Sequence, residues 1–330
     1  MQKYINQNQF VLGIDTGSTK THAVISDLTG KVVGFSESGC GNYEIVNKQG
    51  FENTLNDAVD KVITVSGIEK RDINSMGFGF SGYDWPSENP IMIKAINSLG
   101  ITCPYTFVND VTLGLIAGSS AGWGIAVDAG SGNNVRGRDR SGNIGRISGN
   151  GLQFGEFGGA SELVWRGMIA AIYAWTLRGP KTRITDLLMN YANADSEDAL
   201  IEGLAIGKIH LPSKLAKDII QLALEGDAVA HDVIKFNARE LGLNVNAVVR
   251  QLEFQDLHFE VVMMGSVFNS GEIYTNPFIN TVLEFAPNAQ FIHLSVPPVV
   301  GAVLLAAEVL EITKKEFKNT LVESTKEFIS

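Results

Sequence analysis

One pattern occurs twice in this chain, and it restricts the fold more than any other feature. A short apolar run over residues 11–14 stops at Asp15-Thr16-Gly17-Ser18-Thr19; a β-rich run over 21–26 follows, then the turn Asp27-Leu28-Thr29-Gly30 and a third run over 31–35. Connections this short predict a strand–turn–strand–turn–strand meander. The order restarts later: an apolar run over 124–127 stops at Asp128-Ala129-Gly130-Ser131-Gly132, a polar strand follows, and Asp139-Arg140-Ser141-Gly142 turns the chain toward Ser148. The first opening reads Asp-Thr-Gly with Asp-x-Thr-Gly twelve residues on, and the second Asp-Ala-Gly with Asp-x-Ser-Gly eleven on. Two matches in the same order imply a duplicated unit: an α/β chain of two similar lobes, each a sheet flanked by helices.

The segments between fit that plan. Phe51, Leu55, Ala58, Val59, Val62 and Ile63 recur at helical spacing and predict a helix over 50–65. Residues 76–80 and 106–108 read as buried strands, with a helix over 90–99 between them. Beyond Gly159 the period is mostly helical, clearest over 162–176, 214–225, 227–251 and 300–310, with an apolar strand over 259–264. No low-complexity linker separates the halves, so a hinge near 115–122 is expected. The lobes would then be 1–117 and 118–330, with the last helix, amphipathic through Phe317, Leu321 and Phe328, packing back on the first lobe.

Glycine is in excess, 35 of 330 residues, or about one in nine where about one in fourteen is usual. Twelve of them fall within 122–159. Two familiar nucleotide signatures do not account for them. Gly17-Ser18-Thr19-Lys20-Thr21 lacks the glycine that a phosphate-binding Walker loop needs directly before its lysine, and Gly77-Phe78-Gly79-Phe80-Ser81-Gly82 has no acid about twenty residues beyond it. A third mode fits better. Phosphate oxygens are held by backbone N–H groups in tight glycine and hydroxyl turns between strands, where small residues let the backbone approach closely. Thr16-Gly17-Ser18-Thr19 and Gly130-Ser131-Gly132-Asn133 are two such turns, one per lobe. Asp15, at a strand end beside the first, is placed to orient a magnesium ion through water.

Asp110 ends a strand directly before a helix-like run. It reads either as a helix N-cap, a role aspartate fills well, or as a general base that takes a proton from a substrate hydroxyl. The two roles are compatible. The formal charge of −10 argues against a general nucleic-acid or anionic-membrane binder, since both need basic surface. Cys40 and Cys103 are isolated, which points away from a disulfide framework or zinc cluster and toward a reducing, cytoplasmic setting. The polar stretch 1–9 has no apolar signal core, and the apolar stretch 296–310, broken by Pro297 and Pro298, is too short to span a bilayer. The histidines at 22, 210, 231, 258 and 293 form no metal-binding pattern.

In order along the chain, Gly13-Ile14-Asp15-Thr16-Gly17-Ser18-Thr19-Lys20-Thr21, Gly41-Asn42-Tyr43, Ser81-Gly82-Tyr83-Asp84, Asn109-Asp110, Gly130-Ser131-Gly132-Asn133-Asn134, Gly265-Ser266-Val267-Phe268 and Pro298-Val299-Val300-Gly301-Ala302 resemble the motifs of the N-acetylglucosamine kinases and the wider BadF/BadG/BcrA/BcrD ATPases. The resemblance covers most of the chain. It implies the two-lobed actin, Hsp70 and hexokinase-like fold (ribonuclease H-like, duplicated), with a central nucleotide cleft for ATP and magnesium. It further implies that Thr16, Gly17, Ser18, Thr19, Lys20, Gly130, Ser131, Gly132 and Asn133 hold the phosphates, and that Gly265 and Ser266 back the adenosine. Asn42, Asn109, Asp110, Ser131, Gly149, Asn150, Gly151 and Glu156 are implied as sugar contacts, Asp110 as the base acting on a sugar hydroxyl (on C6), and Asp15 as the metal residue. Relatives are often dimers, so a homodimer is the expected assembly. The implied substrate is a small amino sugar: N-acetylglucosamine, N-acetylmuramic acid or glucosamine.

One segment departs. The kinases usually carry Gly-Asp-Glu-Gly-Ser in a loop that holds sugar hydroxyls through both acids, and this chain has Gly155-Glu156-Phe157-Gly158-Gly159. An aromatic ring at 157 is suited to stack on an apolar sugar face or to admit a larger substituent such as a lactyl ether. The rival readings are an ATPase that activates a partner redox enzyme and a sugar-binding regulator that has lost catalysis.

Overall fold

The computed structural model describes residues 9–329, and the polar N-terminal stretch considered above lies outside them but for Gln9. By internal contacts the chain divides into two units, residues up to 126 together with 292 onward, and residues 127–291.

The first unit is built on β1 (Phe10–Thr16), β2 (Thr21–Asp27), β3 (Val32–Ser38), α1 (Tyr43–Ser66), β4 (Ile73–Phe80), α2 (Asn89–Ser98), β5 (Tyr105–Asn109) and α3 (Asp110–Gly118). Its sheet runs β3-β2-β1-β4-β5. The predicted meander is present, with β1–β2 and β2–β3 antiparallel, while β4 joins β1 and β5 joins β4 in parallel. The parallel joins require crossovers, and α1 and α2 provide them. Alternation along β1 puts Leu12 and Ile14 on the face covered by α1 and α2, in a core with Phe51, Leu55, Phe78 and Met92, and Val11 on the opposite face.

Helix α1 starts earlier than its apolar period predicts. Residues 43–49 add little to the buried stripe; Asn42 starts the helix instead, its side chain accepting the Glu44 N–H at 2.9 Å, and Asn47 at φ 59° marks a kink before the apolar run begins.

The second unit follows the same plan with β6 (Gly124–Ala129), β7 (Asn133–Arg138), β8 (Ile144–Arg146), β9 (Phe259–Met264) and β10 (Ala289–His293). Its sheet order is β8-β7-β6-β9-β10, which is third, second, first, fourth, fifth, as in the first unit. The crossover helix α1, between the third and fourth strands of the first unit, is replaced here by a helical layer: α4 (Ala160–Trp175), α5 (Arg183–Ala192), α6 (Glu197–Ala205), α7 (Ala216–Leu224) and α8 (Ala228–Leu252). Helix α9 (Glu272–Leu283) packs on α8. Helices α5 and α6 lie in the stretch read as mostly helical but are not among its clearest segments, being only ten and nine residues long and burying few apolar side chains.

The contact grouping differs from the expected division at 117/118. The contact boundary falls inside β6, and 292–329 belong with the first unit as a whole, not through the last helix alone. The reason is α10 (Val299–Val309), which lies directly on the first sheet. Gly13 in β1 and Gly77 in β4 have no Cβ, and one at either position would overlap the α10 backbone at residues 302–306; Ser75 adds a hydrogen bond from its hydroxyl to the Ala306 carbonyl at 2.7 Å. The glycines of the G-x-G-x-x-G run thus serve packing: Gly77 admits α10 and Gly79 admits Leu113 of α3. Helix α11 (Lys315–Thr325) completes this face with Phe317 and Leu321, while Phe328 stays exposed. Among the described residues, no helix is long and apolar enough to cross a membrane.

Candidate functional site

In the first unit the candidate residues gather at the carboxyl ends of the parallel strands, where open α/β sheets bind ligands. The register sets Thr16, Phe80 and Asn109 side by side, so Gly17, Ser81 and Asp110 emerge as neighbours. Hydrogen bonds knit them together. Ser81 N–H donates to the Thr16 carbonyl at 3.1 Å, Gly41 N–H donates to the Gly17 carbonyl at 3.0 Å, and the Asn42 amide reaches the Ser81 hydroxyl at 3.3 Å. The first glycine turn closes through Gly17 N–H on the Lys20 carbonyl at 2.9 Å. Ser18, Thr19 and Lys20 are exposed at its tip.

Asn109 and Asp110 share the start of α3. The N-cap is Asn109: buried, it accepts the Val111 N–H at 3.1 Å and donates to the Tyr83 carbonyl at 3.1 Å. Asp110 is the first helical residue, and its Oδ1 lies 2.9 Å from the same N–H. Burial, and then the negative charge of Asp110, push the Asp15 carboxyl up to about 8. A carboxyl raised by burial and by a second carboxyl favours its protonated form or a nearby cation. Nearby, Glu88 receives the Tyr43 hydroxyl at 2.5 Å and the Asp84 N–H at 2.8 Å. Glu44 is raised by burial and by the charges of Asp84 and Glu88.

In the second unit the glycine turn of residues 130–132 rests on the N-terminus of α4. The N–H groups of Ala160 and Ser161 donate to the carbonyls of Gly130 and Ser131 at 3.0 and 2.8 Å. The carbonyls of the turn are thereby satisfied from within, and Ser131 and Gly132 lie exposed. Gly265, at φ +93°, sits where any Cβ would overlap the Ala129 backbone, which brings Gly265-Ser266 beside this turn. Asn133 is turned inward: it donates to the Glu156 carbonyl at 3.3 Å and accepts from Asn244 at 3.3 Å. Glu156 is folded onto its own loop, with Ser148 N–H on Oε1 at 2.7 Å and Asn150 N–H on Oε2 at 3.1 Å. The Phe157 ring packs 5.2 Å from that of Phe236 and 6.0 Å from that of Trp165, so it belongs to an aromatic cluster of α4 and α8.

Each unit therefore holds its own group of predicted residues: Asp15, the 16–20 turn, Asn42, Asn109 and Asp110 in the first, and the 130–133 turn, Gly149–Gly151, Glu156 and Gly265-Ser266 in the second. The sequence reading missed Glu162. This buried acid caps α4, its Oε2 accepting the Gly159 N–H at 2.7 Å. An acid three residues beyond a helix start is a capping signal, but glycine at the cap position conceals it. Among the described residues, no group of three or more His, Cys, Asp or Glu is placed to bind a metal ion.

Two five-stranded sheets of one order, each opening on a strand and a tight glycine turn, define the actin-like fold. Solved structures share it: a Chromobacterium violaceum protein assigned as an N-acetylglucosamine kinase (TM-score 0.65, 17% identity, 90% of this chain and 99% of that one) and a Streptomyces griseus ROK-family glucokinase in complex with glucose and AMPPNP (TM-score 0.53, 19% identity, 91% and 98%). A sequence profile of the BadF/BadG/BcrA/BcrD ATPase family matches residues 12–306, and the chain belongs to that family. Curated relatives include the N-acetylmuramic acid/N-acetylglucosamine kinase of Clostridium acetobutylicum, 27% identical, and the N-acetyl-D-glucosamine kinase of Dictyostelium discoideum, 26% identical. Each match covers 90% of this chain and 98% of the relative.

Proposed function

We propose that this protein is an ATP-dependent kinase that phosphorylates a hydroxyl, the one on C6, of an amino sugar of the N-acetylglucosamine and N-acetylmuramic acid class. The observation that carries the reading is the start of α3, where Asn109 provides the cap and Asp110 presents a carboxylate held by a backbone N–H. The names of the two curated relatives, matched over nearly their whole lengths, support the substrate class.

In this mechanism Asp110 accepts the proton of the sugar hydroxyl as its oxygen attacks the γ-phosphorus; a new O–P bond forms, the bond to the β-phosphate oxygen breaks, and ADP leaves. The backbone N–H groups of residues 16–20 and 130–133 stabilise charge on the phosphate oxygens. Gly265 and Ser266 back the adenosine. The oxygen chemistry of Asp15, and its raised carboxyl beside Asp110, suit a hard cation; magnesium, when bound, supplies positive charge to the phosphates. Asn42, Asn109, Ser131, Gly149, Asn150 and Gly151 contact the sugar. Glu156 acts through the loop it braces.

The test is ADP release with N-acetylglucosamine, N-acetylmuramic acid, glucosamine and glucose, followed by NMR location of the phosphate in the product. Turnover of one of the N-acetylated sugars to a 6-phosphate is expected. ADP release that no sugar stimulates would overturn the reading.

A further inference from the structure

Beside the second glycine turn lies an open cavity of about 420 Å³, lined chiefly by Gly132, Asn133, Gly149, Asn150, Gly151 and Glu162. Among the described residues, Glu162 is the only ionisable one in its lining. The residue is 4% exposed, and burial raises its carboxyl from the ordinary value. Two neighbours share one oxygen: Oε2 receives the Gly159 N–H at 2.7 Å and the Asn133 amide at 3.4 Å. The other, Oε1, lies toward Gly151, where an added Cβ would stand 3.1 Å from it.

We propose that Glu162 is a specificity-determining residue whose Oε1 accepts a hydrogen bond from a hydroxyl of the sugar bound in this cavity. The proposal rests on the kinase reading above. A buried carboxylate oxygen is a strong acceptor for a hydroxyl, and it repels an anion. Among the described residues no lysine or arginine lines the cavity, which leaves the Glu162 carboxylate as its charged partner for a sugar hydroxyl. The acid of the neighbouring loop, Glu156, is occupied by the N–H groups of Ser148 and Asn150, and Phe157 brings no acceptor. Glu162, from the first turn of α4, supplies the carboxylate on this side of the site. The Gly159 N–H keeps the carboxyl plane fixed, so Oε1 is oriented before the sugar arrives.

Glu162→Gln separates this role from capping, because a glutamine oxygen still accepts the Gly159 N–H. The sugar KM of the variant should rise at least about tenfold, with the ATP KM and the melting temperature nearly unchanged. Wild type should discriminate against one monodeoxy analogue of N-acetylglucosamine, and the variant should lose that discrimination. An unchanged sugar KM, with or without a lower melting temperature, would overturn the proposal and leave the kinase reading intact. If wild type turns over no sugar, the kinase reading fails by itself. Calorimetry with N-acetylglucosamine then decides: binding to wild type that is weakened in the variant upholds the role of Glu162, and absence of binding to both overturns it.

Discussion

Asn109 takes the capping position that the sequence reading assigned to Asp110. Because Asn109 caps α3, removing the Asp110 charge should spare the fold. Asp110→Asn should therefore lower kcat by about a hundredfold or more with the melting temperature nearly unchanged; a variant that folds and keeps near-full turnover would remove Asp110 from its assigned role. Asp15 gives a prediction in pH. Its carboxyl ionises near 3.8 when unfolded and keeps its proton to about 8 when folded. Between those values the folded state binds more protons, so this group's contribution to stability falls as pH rises. In metal-free protein, Asp15→Asn should raise the melting temperature clearly at pH 9 and much less at pH 4. An equal gain at both, read by calorimetry, would show that Asp15 is not the titrating group.

Among the elements, α10 is the one most constrained by residues far away in sequence. An added methyl at Gly77 would meet the α10 backbone at Ala302 and Ala306, and backbone yields less than a side chain does. Gly77→Ala should cost about 1–3 kcal/mol in denaturant unfolding, whereas a change at exposed Gly67, where an added Cβ meets nothing, tests only the left-handed cap of α1. The meander and the two glycine turns were legible because turn chemistry is local: Asp-x-Thr-Gly and Asp-x-Ser-Gly announce themselves within four residues. The return of 292–329 to the first unit was not, because it depends on Gly13 and Gly77 opening one face of a sheet to an apolar helix more than two hundred residues later. The inward turn of Asn133 and Glu156 was hidden for a similar reason. Asn244 on α8 and the N–H groups of 148 and 150 are partners that only folding supplies.

For the molecule as a whole, the formal charge of −10 and an anionic co-substrate are compatible if backbone amides carry the phosphates. Lysine plays a small part: Lys20, the cation of the first turn, is exposed and paired with Glu37 at 3.3 Å. Association then gains little from long-range attraction, and the ATP KM should change by less than about threefold between low and high salt at constant magnesium, since screening acts chiefly on exposed charge pairs. A steep rise with salt in steady-state kinetics would point to basic side chains as the main phosphate contacts.

The same chain path has a consequence for biosynthesis. The second unit is continuous in sequence, whereas one face of the first unit's sheet waits for α10 and α11, the last of its described elements to leave the ribosome. Domains generally mature in the order of their translation; here the half translated first has one face that is completed last. Until residue 299 and beyond emerge, the glycine face of β1 and β4 has no helix to cover it, so a nascent chain stalled before that point carries an open apolar sheet for chaperones to shield.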